Sequence, residues 1–93
     1  MRVIWTSKAL SDLVRLHAFL APGNPRAAAL IFDQIKAGPR HLQAHPRLGE
    51  RVPDFADREV RRLLVGDYEM RYEVKPDAIW ILRLCVISGP QHA

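Results

Sequence analysis

The 93-residue chain contains little cysteine and no long apolar run. Its one cysteine, Cys85, excludes an internal disulfide, and the apolar segment around it predicts a small core residue. No stretch approaches the roughly 18 apolar residues of a membrane-spanning helix, and no secretory leader pattern opens the sequence. These absences predict a protein of the reducing cytoplasm that makes no membrane contact.

Several motifs of catalytic and cofactor sites are also absent. The sequence has no P-loop, no GxGxxG, no paired-cysteine site and no GxSxG. His41 and His45 are four residues apart, but no cysteine or carboxylate adjoins them. The sequence therefore predicts neither a metal nor a cofactor.

Positive charge is what the sequence has in excess. Fourteen basic and ten acidic residues give a formal net charge of +4, and eight of the basic residues lie in the second half. This balance favours an acidic partner, either nucleic acid, an acidic peptide or an acidic protein surface. Because acidic residues are interleaved, a solvated basic surface is an equal alternative. The length predicts one small domain over residues 1–93, with a core modest enough for a partner to add stability.

A strongly alternating stretch in the second half predicts a β-hairpin. Apolar and charged residues alternate without interruption over Tyr68–Val74, which is the period of a strand with one buried face. Gly66-Asp67 precedes it and is typical of a hairpin turn. We therefore expect Arg58–Val65 to pair antiparallel with Tyr68–Val74.

A first strand and a first helix are predicted near the start. Arg2–Trp5 is rich in β-forming residues, and Thr6 or Ser7 can cap a helix that runs to about Leu20. The helical spacing predicts an inward face made of Leu10, Leu13, Val14, His17 and Leu20.

A second helix is predicted to begin at Asn24-Pro25, since asparagine is a good N-cap and proline suits the first helical position. Proline inside a helix costs about 3 kcal/mol, so Gly38-Pro39 predicts a kink or break before a last helical piece over Arg40–Ala44. The short link between the helices predicts an antiparallel helical hairpin. Its inward residues are predicted to be Ala28, Ile31, Phe32 and Ile35.

The rest of the chain predicts a loop, a last strand and a tail. Prolines and charges over residues 45–57 indicate a loop, held to the core by Leu48, Val52 and Phe55. Ile79–Ile87 is almost entirely apolar and predicts a central strand, or an edge strand covered by a partner. Ser88–Ala93 is predicted to fray. The order indicates an α+β fold in which a three-stranded antiparallel meander and the N-terminal strand form one sheet under the helical hairpin. The position of the first strand stays open.

Arginines are the remaining candidates for a functional site. They fall on all three strands of the predicted meander and could meet across the sheet. Arginine clusters bind phosphate, and they also form cross-strand ion pairs, here with Glu59, Glu69 and Glu73. Ion pairs are the more usual arrangement, and both readings stay open. The residues are Arg58, Arg61, Arg62, Arg71 and Arg83.

Short segments in one consistent order resemble a known family. The chain is similar to the ParE branch of the RelE/ParE toxin superfamily over about residues 1–84. This resemblance implies the toxin of a type II toxin–antitoxin module, neutralised by a ParD-like antitoxin whose C-terminal segment wraps over it. ParE-like members are associated with poisoning of DNA gyrase, whereas RelE-like relatives cut mRNA on the ribosome. Contact with DNA is implied only through the antitoxin. The segments are WTSKALSDL from Trp5, NPRAA from Asn24, LQAHPRLGERV from Leu42, REVRR from Arg58, YEMRYEV from Tyr68 and IWILRL from Ile79.

The resemblance also implies site residues. In RNA-cutting relatives, the work is done by a basic residue near the start of the meander, another on the following strand, and a His or Tyr after the last strand. In this chain, Arg61 or Arg62 would fill the first of these positions, and Arg71 or Arg83 the others. The terminal His or Tyr of those relatives is missing, because CVISGP follows Leu84 here. Cleavage at a ribose needs a group that moves protons, which arginine does poorly. The residues therefore favour a non-enzymatic toxin, with an RNA-cutting toxin and a non-toxic antitoxin-binding protein as alternatives. Antitoxin contacts are expected at Leu13, His17, Leu20, Phe32, Ile35, Arg58, Arg62 and Arg71, and target contacts at Arg83, Cys85, Val86 and Ile87.

Overall fold

The computed structural model describes residues 1–55 and 57–87. The element order confirms the predicted α+β fold, with one additional short strand inside the predicted loop. The predicted frayed tail, Ser88–Ala93, lies outside the described residues. The elements are β1 (Arg2–Trp5), α1 (Ser7–Leu20), α2 (Pro25–Ala44), β2 (Glu50–Arg51), β3 (Val60–Val65), β4 (Tyr68–Val74) and β5 (Ala78–Val86).

The strands form one sheet in the order β1-β5-β4-β3-β2. β1 runs parallel to β5 with Trp5 opposite Ile81, which settles the position that the sequence left open. β5 is therefore flanked by β1 and β4, as its apolar sequence predicted for a central strand.

The predicted hairpin is confirmed. β3 and β4 pair antiparallel with Val65 opposite Tyr68. Gly66 in the turn has a φ of 60°, a left-handed conformation that glycine adopts without the steric cost of a Cβ atom.

Both helices pack on one face of the sheet. Ile35 and Leu42 of α2 are fully buried against the apolar residues of β4 and β5, including Met70, Tyr72 and Ile79. The opposite face is called the outer face below. No helix of residues 1–55 and 57–87 packs on it.

Both predicted helix starts are confirmed. The Thr6 hydroxyl accepts a hydrogen bond from Ala9 N at 3.1 Å and donates one to the Ile81 carbonyl at 2.9 Å, so this cap also ties α1 to β5. Asn24 Oδ1 accepts from Ala27 N at 3.1 Å. Pro25 occupies the first helical position, where its missing N–H has no intrahelical partner to lose.

The predicted inward face of α1 is partly wrong. Leu10, Val14 and His17 are exposed, and the buried positions are Ala9 and Leu16. The helix is turned so that the charged side chain of Asp12, which is 8% exposed, points inward. The reason lies far along the chain, where the Asp12 carboxylate finds partners on β5.

The predicted break at Gly38-Pro39 is also wrong, because α2 continues through both residues to Ala44. Both lie buried against the sheet, and a Cβ atom at Gly38 would stand 3.4 Å from Met70 Sδ. Full burial of Ile35 and Leu42 contributes roughly 3–6 kcal/mol, which matches or exceeds the roughly 3 kcal/mol cost of the proline.

The predicted loop over residues 45–57 is held to the core by only two of the three apolar residues that the sequence indicated. Val52 is buried and Phe55 is half-buried, but Leu48 is exposed. The additional strand β2 pairs with β3, placing Glu50 opposite Arg62.

Candidate functional site

Three arginines form a row across the outer face. Arg62 of β3 lies opposite Arg71 of β4, and Arg71 lies opposite Arg83 of β5. Their alternation with apolar neighbours places them on the face away from the helices. We call these three residues the arginine row. It brings together three of the four arginines that the sequence offered for RNA cleavage.

Each arginine of the row is paired with a carboxylate. Arg62 Nε donates to Glu50 Oε1 at 2.8 Å, and Arg71 Nε donates to Glu69 Oε2 at 2.7 Å. The hydrogen bonds to Glu50 raise the pKa of the Arg62 guanidinium above its ordinary value. The structure thus pairs these arginines with carboxylates, which the sequence offered as the alternative to a phosphate site. The Arg62–Glu50 pair crosses from β3 to β2, a partner that the sequence did not predict, whereas the Arg71–Glu69 pair lies within β4.

The third pair connects the sheet to α1. Arg83 donates to both oxygens of Asp12, at 2.8 and 3.1 Å, and Leu84 N donates to Asp12 Oδ2 at 3.0 Å. The Arg83 hydrogen bond is the main reason that the pKa of the Asp12 carboxyl lies below its ordinary value. Sequence reasoning missed this residue because its partners are 71 and 72 positions away, and no local pattern marks it.

Arg61 and Arg58 lie outside the row. Arg61 donates to the Gly49 carbonyl and to Glu59, both at 2.8 Å, and so holds the segment before β2. Arg58 donates to Glu73 at 2.7 Å, and this bond is the main reason that the pKa of the largely buried Glu73 carboxyl is lowered. The sequence predicted Glu73 to face solvent, whereas it is 7% exposed.

The helices carry an exposed apolar stripe. Leu10, Val14 and His17 share one face of α1 by helical spacing, and Val14 is 67% exposed. The His17 ring packs edge-to-face on Phe32 of α2, with 4.9 Å between the centroids. We call Leu10, Val14, His17 and Phe32 the helical stripe. The helical spacing of the sequence identified these residues as one apolar face of each helix, but predicted that they point into the core.

The other predicted antitoxin contacts on the helices are less accessible. Leu13 and Leu20 are half-buried and pack against the core. Ile35 is fully buried, so its side chain offers no surface to a partner. It acts as a core residue in this structure.

The predicted target contacts are divided between two sides of the molecule. Arg83 and Cys85 lie on the outer face, and Cys85 is half-buried. Val86 is exposed near Phe19 of α1. Ile87 lines a cavity of about 590 Å³ beside Leu48, Glu50 and Arg62. The end of β5 therefore presents different residues on different sides.

Two further properties concern the described residues alone. Across residues 1–55 and 57–87, no three His, Cys, Asp or Glu side chains come together as a metal site would require. In the same part of the chain, neither helix combines the length and apolar character needed to cross a membrane.

Together these features define a small α+β protein with an apolar stripe on its helices and paired arginines on its open sheet face. Such surfaces characterise proteins that bind other macromolecules. Residues 3–85 match the family model described as the ParE toxin of the type II toxin–antitoxin system, parDE. The chain therefore belongs to the ParE toxin family.

Individual relatives agree with this assignment. The chain is 29% identical over 83 residues to Toxin RelE2 of Caulobacter vibrioides, covering 89% of this chain and 91% of that one. It also resembles a solved structure of a chromosomal ParDE toxin–antitoxin system from P. aeruginosa. That match has a TM-score of 0.78 and 25% identity, and covers 95% of this chain and 97% of the other.

Proposed function

We propose that this chain is the toxin of a ParDE-type module, that DNA gyrase is its target, and that a ParD-like antitoxin neutralises it in the cytoplasm. The match to the ParE family over residues 3–85 carries the proposal. The similarity to a ParDE system supports an antitoxin partner. DNA is contacted only through that antitoxin.

The helical stripe is the proposed docking surface for an amphipathic antitoxin helix. Leu10 and Val14 leave apolar area in water, and His17 with Phe32 extends this area towards α2. A helix that buries its own apolar side chains here would recover roughly 25 cal/mol for each Å² removed from water. Leu13 and Leu20 border the stripe and stay within the proposed contact set.

The proposed electrostatic contacts lie on the other side of the molecule. Arg58, Arg62 and Arg71 belong to the sheet side that no described helix covers, whereas the helical stripe faces away from the sheet. The shortest dimension of the molecule is 22 Å. One partner that reaches both surfaces must pass around an edge, which takes about seven extended residues at roughly 3.3 Å each.

The end of β5 is the proposed target-binding region. Arg83, Cys85, Val86 and Ile87 are its candidate contacts. Asp12 fixes the orientation of the Arg83 side chain, so this charge is held in place before any target arrives. The toxin would then act by binding, since an arginine that stays charged is a poor proton-transfer group.

A second candidate function is ribosome-dependent cleavage of mRNA. The specific observation in its favour is the arginine row, which aligns three guanidinium groups on adjacent strands. RNA phosphates would have to displace Glu50, Glu69 and Asp12 from these arginines. A third candidate is a protein that binds its antitoxin without being toxic. The observation in its favour is the sequence after Leu84, which differs from that of the relatives.

A gyrase assay with the purified chain tests the leading proposal. We expect inhibition of supercoiling or accumulation of cleaved DNA, reversed by the antitoxin encoded beside the toxin. Ribosome-dependent RNA cuts without an effect on gyrase would instead support the second candidate. Neither activity, together with tight antitoxin binding, would support the third.

A matched pair of variants tests the docking surface within the same assay. Val14→Glu places a charge in the helical stripe, whereas Leu30→Glu places one at an equally exposed apolar position of α2 outside it. Val14→Glu is expected to raise the antitoxin concentration needed for reversal by at least about tenfold, equivalent to about 1.4 kcal/mol. Equal effects of the two variants would argue against the stripe as the docking surface.

A further inference from the structure

β5 extends beyond the strand that pairs with it. β1 ends at Trp5, opposite Ile81, whereas β5 continues to Val86. The edge of the sheet is therefore open after Ile81 on the β1 side. Asp12 closes the first part of this edge, because its carboxylate accepts the Leu84 N–H at 3.0 Å.

The backbone of Val86 points to the same open edge. Val86 lies opposite Tyr68, and the hydrogen bond from Ile87 N to Asp67 O at 2.9 Å joins the residues that flank this pair. In an antiparallel ladder, such a bond marks the enclosed pair as non-hydrogen-bonded. The N–H and C=O of Val86 consequently point away from β4. Within the described residues, neither group has a backbone partner outside the strand ladders.

An apolar cavity lies beside this edge. It has a volume of about 320 Å³ and lies between α1 and the end of β5. Phe19 and Val86, two of its lining residues, are 80% and 66% exposed. Leu16, Tyr68 and Leu84 form its floor, so an entering apolar side chain would contact the buried core.

Positive charge surrounds the entrance. Arg15 lines the apolar cavity and also an adjoining polar cavity of about 250 Å³, where Lys8 and Arg83 are further lining residues. Asp12 is the one carboxylate among these lining residues, and Arg83 occupies both of its oxygens. The Arg15 guanidinium donates to Ser11 Oγ at 3.2 Å and forms a long ion pair with Asp12 at 3.7 Å. Its side chain is 74% exposed, so its charge remains accessible to a partner.

We propose that this edge binds an extended, acidic peptide segment. One residue of the segment pairs through its backbone with Val86, and a neighbouring apolar side chain enters the cavity beside Phe19. A carboxylate further along the segment meets Arg15 and Lys8. Backbone pairing at a sheet edge with a side-chain pocket beside it is a recurring mode of peptide recognition. The surface differs from the helical stripe, so the proposal does not depend on antitoxin docking there.

The charge of the site decides between the possible occupants. Residues 88–93 of the chain carry no acidic side chain, so they lack the carboxylate side chain that Arg15 and Lys8 would attract. A second copy of this basic chain would bring like charge to the site, with a formal net charge of +4 on each copy. An acidic segment of another protein is the occupant that the charges favour.

A synthetic peptide, acetyl-Asp-Glu-Val-Leu-Val-Thr-amide, tests the proposal against its Asn-Gln counterpart. The full chain is titrated by nitrogen-15 NMR, and amide hydrogen exchange is followed at Val86. We expect a Kd on the order of 100 μM for the acidic peptide, binding about tenfold weaker for the neutral one, and at least about tenfold slower exchange of the Val86 amide.

Variants distinguish binding at this site from non-specific binding of the peptide to the protein surface. Phe19→Ser and Arg15→Glu are each expected to weaken binding about fivefold or more, whereas Leu30→Ser and Arg26→Glu are exposed controls expected to change it less than twofold. No binding at millimolar peptide, unchanged exchange at Val86, or equal affinity for both peptides would overturn the proposal. A dimer that Val86→Asp dissociates, or binding more than tenfold tighter in a chain ending at Ile87, would assign the cavity to another occupant and also overturn it.

Discussion

Replacing Tyr72 by phenylalanine removes a single oxygen atom that holds the segment before β2. Tyr72 is fully buried on the helix-facing side of β4. Its hydroxyl accepts a hydrogen bond from Gly49 N and donates one to the Pro46 carbonyl, both at 2.9 Å. Burial raises the pKa of this hydroxyl above its ordinary value, so the side chain remains neutral across the usual pH range of stability measurements.

The expected cost follows from the two groups left behind. Gly49 is buried, so its N–H loses its partner without gaining water, which costs about 1–3 kcal/mol. The Pro46 carbonyl lies in a half-buried residue that water can reach, and the lost bond there costs about 1 kcal/mol. We therefore expect a loss of about 2–4 kcal/mol in the free energy of unfolding, or roughly 10–30 °C in Tm for a chain of this size.

Urea unfolding followed by circular dichroism measures this loss. Tyr68→Phe is the matched control, because it lies four residues earlier on the same face of β4 and no hydrogen bond of its hydroxyl is found within residues 1–55 and 57–87. The control is expected to change the free energy by less than about 0.5 kcal/mol. If Tyr72→Phe were as stable as the control, the hydroxyl would not be what holds this segment.

Three further predictions concern a close backbone contact, pH dependence and salt dependence. Gly49→Ala should cost about 2 kcal/mol or more in unfolding free energy, because the added Cβ would lie 2.5 Å from the Arg62 carbonyl oxygen. Gly23→Ala, where the nearest atom is 3.9 Å away, should be stable in the same urea assay, and equal losses would refute the argument. The lowered pKa of Asp12 gives stability that is present above the unfolded-state pKa of about 3.9 and is lost as pH falls through the folded-state pKa. Asp12→Asn should therefore make thermal stability less dependent on pH between about 5 and 2, and an unchanged slope would contradict this. Stopped-flow association with the antitoxin should slow as salt rises, and Arg71→Gln should reduce that dependence; a rate independent of salt would exclude electrostatic steering.

The distinction between surface and core on α1 shows why local patterning is insufficient. Leu10 and Val14 satisfy the spacing of a buried stripe as well as Ala9 and Leu16 do. The choice depends on Asp12, whose carboxylate is worth burying only where Arg83 and the Leu84 N–H meet it. Since those groups are more than seventy residues away, the rotation of the helix could not be derived from its own sequence.

The arginines illustrate a similar division. Alternation in Tyr68–Val74 and the Gly66 turn fixed the register of β3 against β4, and hence placed Arg62 opposite Arg71. Which carboxylate each arginine meets was not predictable. Glu50 reaches Arg62 because a two-residue strand forms inside a segment that reads as a loop, and that strand needs the Tyr72 hydroxyl and β3 beside it.

The sequence by itself determined the elements of this protein apart from β2, their order, both helix N-caps, the tight turn and the family resemblance. Each of these depends on residues close together in the chain, where spacing and backbone preference act directly. Only the tertiary structure decided where β1 joins the sheet, whether α2 continues through Pro39, which face of α1 is exposed to solvent and which charges are paired. These outcomes depend on contacts between distant residues, whose burial and hydrogen-bonding energies exceed the local preferences that they override.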